Sequence, residues 1–166
     1  MVSILILAAG ESRRMRGRDK LAELVGGEPL LRRQALAALS LGEEVFVALP
    51  GPGHDRAQHI SDLDVTPLIV PEAAEGMGGT LRGAVAQLPT CNAFLVVLAD
   101  LPLIGADEMR RVMDLRRAAP DARIWRGTTE DGKPGHPILF DAEVRPEFDM
   151  LSGDKGGELI LRSHPV

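Results

Sequence analysis

The stretch Ser3-Ile-Leu-Ile-Leu-Ala-Ala-Gly10 decides the fold of this chain. Its apolar run is short and leads into small residues and a glycine, which is typical of a strand buried on both faces. Three later apolar runs, at residues 45–49, 66–70 and 93–98, have the same character and stop close to Pro or Asp. Strands buried on both faces belong to parallel sheets that are covered by helices, so the four runs predict one parallel sheet.

Segments with helical spacing lie between and after these strands, at residues 29–40, 54–60, 80–88 and 105–118. Alternating strands and helices connect by right-handed crossovers, which put helices on both sides of a sheet. We therefore expect a single three-layer α/β/α domain over residues 1–166, with a mostly parallel, Rossmann-like sheet. Further short strands are predicted at residues 123–125 and 137–140, and two further helices end near residues 151 and 162.

The composition of the chain limits its function classes. The 166 residues are 45% hydrophobic and 26% charged, as in an ordinary globular domain. A net charge of -5 and few aromatic residues argue against nucleic-acid binding. The single cysteine, Cys91, suits a reducing compartment. No apolar stretch approaches the roughly 20 residues of a membrane helix, and no basic residue precedes the apolar start, so we expect a cytoplasmic protein that binds no membrane.

The loop after the first run concentrates positive charge. Residues 8–20 contain five basic and two acidic residues, a net charge of +3 in a chain of net charge -5. Gly10 lets the backbone approach a ligand, and arginine and lysine bind phosphate oxygens, so the loop suits a triphosphate. A solvated basic loop is the alternative on spacing alone. The basic residues are Arg13, Arg14, Arg16, Arg18 and Lys20, and the acidic residues are Glu11 and Asp19.

Two common phosphate-binding patterns do not occur in this loop. It contains neither Gly-x-Gly-x-x-Gly nor Gly-x-x-x-x-Gly-Lys-Ser/Thr. The sequence therefore argues against a dinucleotide-dependent dehydrogenase and against a P-loop kinase.

Two more loops follow strands at the same edge of the predicted sheet, where open parallel sheets bind ligands. Asp100 follows the run 93–98, and one carboxylate opposite a basic loop suits Mg²⁺, which also takes phosphate oxygens and water as ligands. A turn or helix-cap aspartate is the alternative. Three glycines in residues 75–80 leave bare amides beside the Thr80 hydroxyl for a nucleoside, or Thr80 is only a helix cap.

Four motifs resemble, in order, those of nucleotidyltransferases similar to molybdenum cofactor cytidylyltransferase and guanylyltransferase. The first is Leu7-Ala-Ala-Gly-Glu-Ser-Arg-Arg-Met15, followed by Lys20-Leu21. The others are Glu75-Gly-Met-Gly-Gly-Thr-Leu-Arg-Gly-Ala84, Leu98-Ala-Asp-Leu-Pro102, and Gly135-His-Pro137 paired with Gly153-Asp-Lys-Gly156. The first and third recur across many nucleotidyltransferases, whereas the last pair is narrower and indicates the molybdopterin-directed branch.

The resemblance implies a fold of the nucleotide-diphospho-sugar transferase type and a Mg²⁺-dependent reaction. In that reaction CMP from CTP passes to a phosphorylated acceptor, the molybdenum cofactor, and diphosphate is released. The resemblance also implies that Arg14 and Lys20 stabilise charge and that Asp100 binds the metal. It implies nucleotide contacts for Ala8, Ala9, Gly10, Glu11, Ser12, Arg13, Gly78 and Thr80, and acceptor-side contacts for His136 and Asp154.

Several alternatives stay open beside this expectation. Ala9 favours CTP over GTP, because guanylyl-transferring relatives tend to have a second glycine there. A sugar-phosphate-type or methylerythritol-phosphate cytidylyltransferase would share the first loop but not Gly135-His-Pro137. Members of the molybdopterin branch usually have an Asp-x-Asp-Thr-Pro-like segment after the Gly-Asp-x-Gly helix, and no such segment follows residues 153–156 in this sequence, so a non-catalytic nucleotide- or molybdopterin-binding accessory protein is a further alternative. The expected partner is a molybdoenzyme or its chaperone.

Overall fold

The structure, a computed structural model, describes residues 1–10 and 19–164. Its strands, in chain order, are β1 (Val2–Leu7), β2 (Leu24–Val25), β3 (Glu28–Pro29), β4 (Glu44–Leu49), β5 (Thr66–Ile69), β6 (Ala93–Leu98), β7 (Ile124–Thr128) and β8 (Pro134–Asp141). Its α-helices are α1 (Leu30–Leu39), α2 (Met77–Ala86), α3 (Ala106–Ala118) and α4 (Glu158–Ser163). Short 3₁₀ helices cover Lys20–Ala22, Asp55–His59, Pro71–Glu75 and Ala142–Met150.

The main sheet has the strand order β5-β4-β1-β6-β8-β7. The four predicted strands pair in parallel, with β1 between β4 and β6 and with β5 beyond β4. Strand β8 is antiparallel to both β6 and β7, so among the strands described for residues 1–10 and 19–164 it alone runs against the others in this sheet. The prediction of a mostly parallel sheet is confirmed.

Two apolar cores lie on opposite faces of this sheet. Ile4 and Ile6 of β1 pack on the face covered by α1 and α3, in a core with Leu31 and Met109. Leu5 and Leu7 point to the other face and pack with residues of α2 and of the 3₁₀ helix Ala142–Met150. Successive side chains of a strand point to opposite faces, so an uninterrupted apolar run is what a central strand between two helical layers requires. The predicted three-layer α/β/α arrangement is confirmed.

The point where the sheet changes winding direction lies between β1 and β6. From β1 the chain crosses through α1 to β4 on one side, whereas β6 is reached from β5 through α2 on the opposite face. Backbone bonds extend the sheet past the ends of these strands, because Ala8 donates to Ala48 O at 3.0 Å and Ala99 donates to Leu7 O at 3.2 Å. The loops after β1 and β6 therefore leave the sheet side by side.

The helix that was predicted to begin near Thr80 begins earlier, at Met77. Gly76, just before it, has a φ of +114°, a conformation that favours glycine and sets the start of the helix. Gly79 lies inside the first turn, where a Cβ would collide with Glu72 O. Glycines that resembled a flexible loop in the sequence thus include one that lets α2 pack closely against the preceding segment. Within residues 1–10 and 19–164, the helices are too short or too polar to cross a membrane.

Candidate active site

A lysine and a carboxylate meet where the chain leaves β1 and β6. Lys20 Nζ lies 3.4 Å from Asp100 Oδ2, and their side chains are 44% and 50% exposed. Asp19 fixes the start of the 3₁₀ turn that carries Lys20, because its Oδ1 accepts a hydrogen bond from Leu21 N at 3.1 Å. Two of the three predicted catalytic residues are therefore adjacent at the carboxyl edge of the sheet and accessible to a ligand.

A buried glutamine, Gln34, forms hydrogen bonds with the backbone that follows Asp100. Gln34 of α1 is only 1% exposed, and its Nε2 donates to Leu101 O at 2.8 Å and to Ile104 O at 2.9 Å. The α1 layer thereby fixes the turn that follows Asp100, so this carboxylate projects from a supported loop.

His136 joins this edge from β8. Because β8 is antiparallel to β6 and Val96 lies opposite Ile138, His136 comes close to the carboxyl end of β6. Burial, and secondarily the positive charge of Arg126, lowers the pKa of His136 below its ordinary value, while Asp100 acts in the opposite sense. The imidazole is therefore uncharged at neutral pH. It can donate or accept a hydrogen bond without adding charge to the site.

The predicted nucleotide residues Ala8 and Ala9 are each 1% exposed, and Gly10 is exposed. Arg56, which lies in the 3₁₀ helix after β4, donates to the carbonyl oxygens of Ala8 and Gly10 and forms an ion pair with Asp19. These contacts fix both ends of the segment between Gly10 and Asp19. Four other predicted residues of this loop, Glu11, Ser12, Arg13 and Arg14, lie outside the described residues.

The two remaining predicted regions pack against each other. Gly78 N donates to Gly153 O at 2.7 Å, and a Cβ on Gly76 would collide with the Asp154 carboxylate. Thr80 is buried, and its hydroxyl donates to Gly76 O at 3.0 Å. The structure thus joins the start of α2 to the Gly-Asp-Lys-Gly turn, where Asp154 is exposed. The nucleotide contacts predicted for Gly78 and Thr80 stay predictions, since both polar groups bond within the chain here.

Among the residues that the structure describes at this edge, Asp100 supplies an accessible carboxylate that could bind a divalent cation. Within residues 1–10 and 19–164 there is no group of three or more His, Cys, Asp or Glu side chains that could hold a metal ion. A single accessible carboxylate fits Mg²⁺, which is commonly bound by one or two carboxylates together with phosphate oxygens and water. The donor set therefore suits a metal that arrives with a nucleotide.

Three residues at this edge were not predicted from the sequence. Arg56 bonds residues 37 to 48 positions away, and Gln34 bonds residues 67 and 70 positions away, so no local pattern identifies either. Arg126 lies on β7, with Nε 3.4 Å from Gly135 O, and brings a positive charge near His136. In the sequence, Arg126 directly follows the two apolar residues that begin β7, and this position alone does not distinguish it from a surface arginine.

Comparisons with known proteins agree with this geometry. The MobA-like NTP transferase domain family matches residues 4–166. The bifunctional protein GlmU of Syntrophomonas wolfei subsp. wolfei is 32% identical over 117 residues, which are 70% of this chain and 26% of that protein. The chain therefore spans about a quarter of the length of this curated relative.

Solved structures of similar chains have the same fold. Rv0371c from Mycobacterium tuberculosis H37Rv matches with a TM-score of 0.81 at 26% identity, over 99% of this chain and 85% of that chain. Its complex with manganese matches with a TM-score of 0.76 at 25% identity, over 99% of this chain and 84% of that chain. These matches cover nearly the whole chain and confirm the predicted fold class.

Replacing Gly78 by alanine tests the contact between α2 and the Gly-Asp-Lys-Gly turn. An added Cβ would lie 2.7 Å from Ser152 O, so we expect the free energy of unfolding to fall by about 1–3 kcal/mol. Helix propensity alone predicts the opposite sign, a gain of up to about 1 kcal/mol. Urea denaturation separates the two outcomes. Gly51→Ala is the control, because no atom of the described residues lies within 4 Å of its added Cβ.

The lowered pKa of His136 predicts an acid-dependent loss of stability. The unfolded chain protonates this residue near pH 6.5, whereas the folded chain does so only at lower pH. The free energy of unfolding must therefore fall as the pH drops through 6.5, and this contribution is complete above that pH. We expect His136→Gln to lose less stability than the wild type between about pH 7 and pH 5, measured by urea denaturation. An NMR titration of the imidazole with a midpoint above 6.5 would contradict this account.

Proposed function

Because the chain belongs to the MobA-like NTP transferase domain family, we propose that it transfers CMP from CTP to the phosphate of the molybdenum cofactor and releases diphosphate. The 3.4 Å pair of Lys20 and Asp100 carries this proposal. A cation for phosphate oxygens and a carboxylate for a metal are both accessible at the edge where parallel sheets bind their ligands. Nucleotidyl transfer requires these two groups beside the attacked phosphorus.

The proposed reaction is a substitution at the α-phosphorus of CTP. An oxygen of the acceptor phosphate forms a bond to this phosphorus, and the bond to the bridging oxygen of the departing diphosphate breaks with its electron pair. Negative charge builds on the oxygens of the attacked and departing phosphates. Lys20 stabilises that charge, and Arg14 is proposed to assist it. The acceptor phosphate is already ionised at neutral pH, so the step needs no general base.

Residues at the carboxyl edge of the sheet are proposed to bind the nucleotide and the metal. Ala9 and Gly10 are proposed to present backbone to the nucleotide. Ala8 donates to Ala48 O and accepts from Arg56, so its contact is proposed only with the further contacts that are expected from the sequence. Asp100 would hold Mg²⁺, which would neutralise charge on the triphosphate when bound. The manganese complex of the similar protein Rv0371c supports a divalent metal. The further nucleotide contacts that the sequence predicts are those of Glu11, Ser12, Arg13, Gly78 and Thr80.

His136 and Asp154 are proposed to position the acceptor. His136 is uncharged at neutral pH, and a neutral imidazole can donate its one ring N–H to an oxygen of the acceptor phosphate. Asp154 is exposed on the turn that packs against α2, and its carboxylate can accept hydrogen bonds from amide or amino groups of an acceptor. A molybdenum enzyme or its chaperone is the proposed recipient of the product.

A nucleotide and acceptor panel tests the proposed function. CTP, GTP, UTP and ATP are each incubated with Mg²⁺, with and without molybdenum cofactor, and diphosphate release is measured. The expected result is release with CTP that requires the cofactor. Release with a sugar phosphate or methylerythritol phosphate instead would identify a different cytidylyltransferase. Nucleotide binding without release from any acceptor would indicate a non-catalytic accessory protein.

Replacing Lys20 by alanine removes the cation from the pair with Asp100. We expect kcat/KM for CTP to fall by about 10²–10³-fold, because a donor aimed at developing charge is lost. Lys133→Ala is the matched control, since Lys133 is 77% exposed and pairs with Asp131 in the turn between β7 and β8. Wild-type rates of diphosphate release from Lys20→Ala would remove this lysine from the mechanism.

Replacing Gly10 by alanine tests whether a nucleotide approaches the backbone here. Gly10 lies outside the left-handed region, and no atom of the described residues lies within 4 Å of an added Cβ, so the free energy of unfolding should change little. If a ligand packs against this position, CTP binding should weaken by about tenfold or more, as overpacking costs predict. Calorimetric titration measures this change. Unchanged affinity would place the nucleotide elsewhere.

A further inference from the structure

A single buried arginine ties together the residues at both ends of the candidate nucleotide loop. Arg56 is 3% exposed. Its Nε lies 2.7 Å from Asp19 Oδ2 and its Nη2 lies 2.9 Å from Asp19 Oδ1, which makes a bidentate pair. Its Nη1 donates to Gly10 O at 2.8 Å and also to Ala8 O. The guanidinium therefore bonds residues on both sides of the segment between Gly10 and Asp19.

Arg56 influences the position of Lys20 through the side chain of Asp19. Asp19 uses one carboxylate oxygen to accept from Leu21 N, which caps the 3₁₀ turn Lys20–Ala22. The same carboxylate is held by both Nε and Nη2 of Arg56. The position of Asp19, and with it the start of the turn that directs Lys20 to Asp100, therefore depends on Arg56.

The contact with Ala8 also sets the direction of a backbone amide. In a trans peptide the carbonyl oxygen and the following N–H point to opposite sides. Because Ala8 O faces Arg56, the N–H of Ala9 faces away from it. Arg56 thereby orients a backbone donor as well as a side-chain cation.

Burying a guanidinium is costly, and an apolar residue of similar volume commonly stabilises a fold at least as well. Among the contacts described for the Arg56 side chain, the partners are the Asp19 carboxylate and the backbone carbonyl oxygens of Ala8 and Gly10. Its backbone is itself fixed, because Arg56 N donates to His54 Nδ1 at 3.2 Å. These contacts fix the positions of Ala8, Gly10 and Asp19.

We infer that Arg56 is a positioning residue for the nucleotide site, acting through Asp19 on Lys20 and through Ala8 on the Ala9 amide. This inference rests on the proposed function, since it assigns Arg56 to the same triphosphate site. Arg56 itself faces the protein and touches no substrate in this account. Lysine cannot replace it, because one ammonium group cannot reproduce a bidentate pair and two carbonyl contacts together.

The test uses two variants and a matched control. Arg56→Lys removes the bidentate geometry, and Asp19→Asn removes the ion pair but keeps a side-chain oxygen that can cap the turn. Arg32→Lys is the control, because Arg32 forms an equally bidentate pair with Asp62, at 2.6 and 2.9 Å, and its other described contacts, with Glu28 and His59 O, do not include residues 8–10 or Asp19. CTP affinity is measured by calorimetry and kcat/KM by diphosphate release, at temperatures where circular dichroism shows each variant to be folded.

We expect Arg56→Lys and Asp19→Asn to lower kcat/KM by about 10²-fold and to weaken CTP binding, as misplacement of reacting groups does. Arg32→Lys should stay within roughly twofold of the wild type. If Arg56→Lys does not fold, Asp19→Asn decides the outcome alone. Wild-type affinity and kcat/KM in the folded variants would overturn the inference.

A double-mutant cycle separates positioning from general destabilisation. If Arg56 acts through Lys20, Arg56→Lys should weaken CTP binding much less in the Lys20→Ala background than in the wild type. Equal effects in the two backgrounds would overturn the route through Lys20. The affinity measurement stands apart from catalysis, so a wild-type chain that binds CTP without releasing diphosphate contradicts the proposed transfer and still tests Arg56.

Discussion

The parallel pairing of β1 with both β4 and β6 is the constraint on which the site depends. Because β1 lies between two strands that run parallel to it, the carboxyl ends of all three strands lie at the same edge of the sheet. The loops that follow them therefore leave the sheet side by side. The crossover through α1 and the crossover through α2 lie on opposite faces, and open parallel sheets bind their ligands where the crossovers diverge in this way, here at the carboxyl ends of β1 and β6. Residues 8–10 and Asp100 are adjacent for this topological reason, and their specific side-chain bonds only refine the arrangement.

The ionisable side chains at this edge of the sheet differ in their exposure to solvent. Lys20 and Asp100 are about half exposed, so their attraction is weak and a phosphate or a metal can compete with it. His136 is kept uncharged by burial, and Arg56 is buried but bonded to a carboxylate and two carbonyls. Lys20 and Asp100 are thus accessible to a ligand. The buried Arg56 instead fixes the backbone of Ala8 and Gly10.

The sequence predicted the sheet because four uninterrupted apolar runs leave a central strand few alternatives. It predicted Lys20 and Asp100 as members of one site, because both lie in loops that follow parallel strands. It could not predict Arg56 or Gln34, whose partners are brought close only by tertiary packing. It also mistook the start of α2, since only the structure shows that Gly78 and Gly79 are required by close packing against neighbouring backbone. The roles assigned to Glu11, Ser12, Arg13 and Arg14 stay predictions.

Every role proposed above requires that a nucleoside triphosphate binds at the carboxyl edge between β1 and β6. An NMR titration of amide resonances with CTP and Mg²⁺ tests it most directly. If the triphosphate binds there, the largest shifts occur at Ala8, Ala9, Gly10, Lys20 and Asp100, with little change at the amino edge of the sheet, for example at Asn92. Shifts confined to that opposite edge, or no saturable shifts with any triphosphate, would contradict the account.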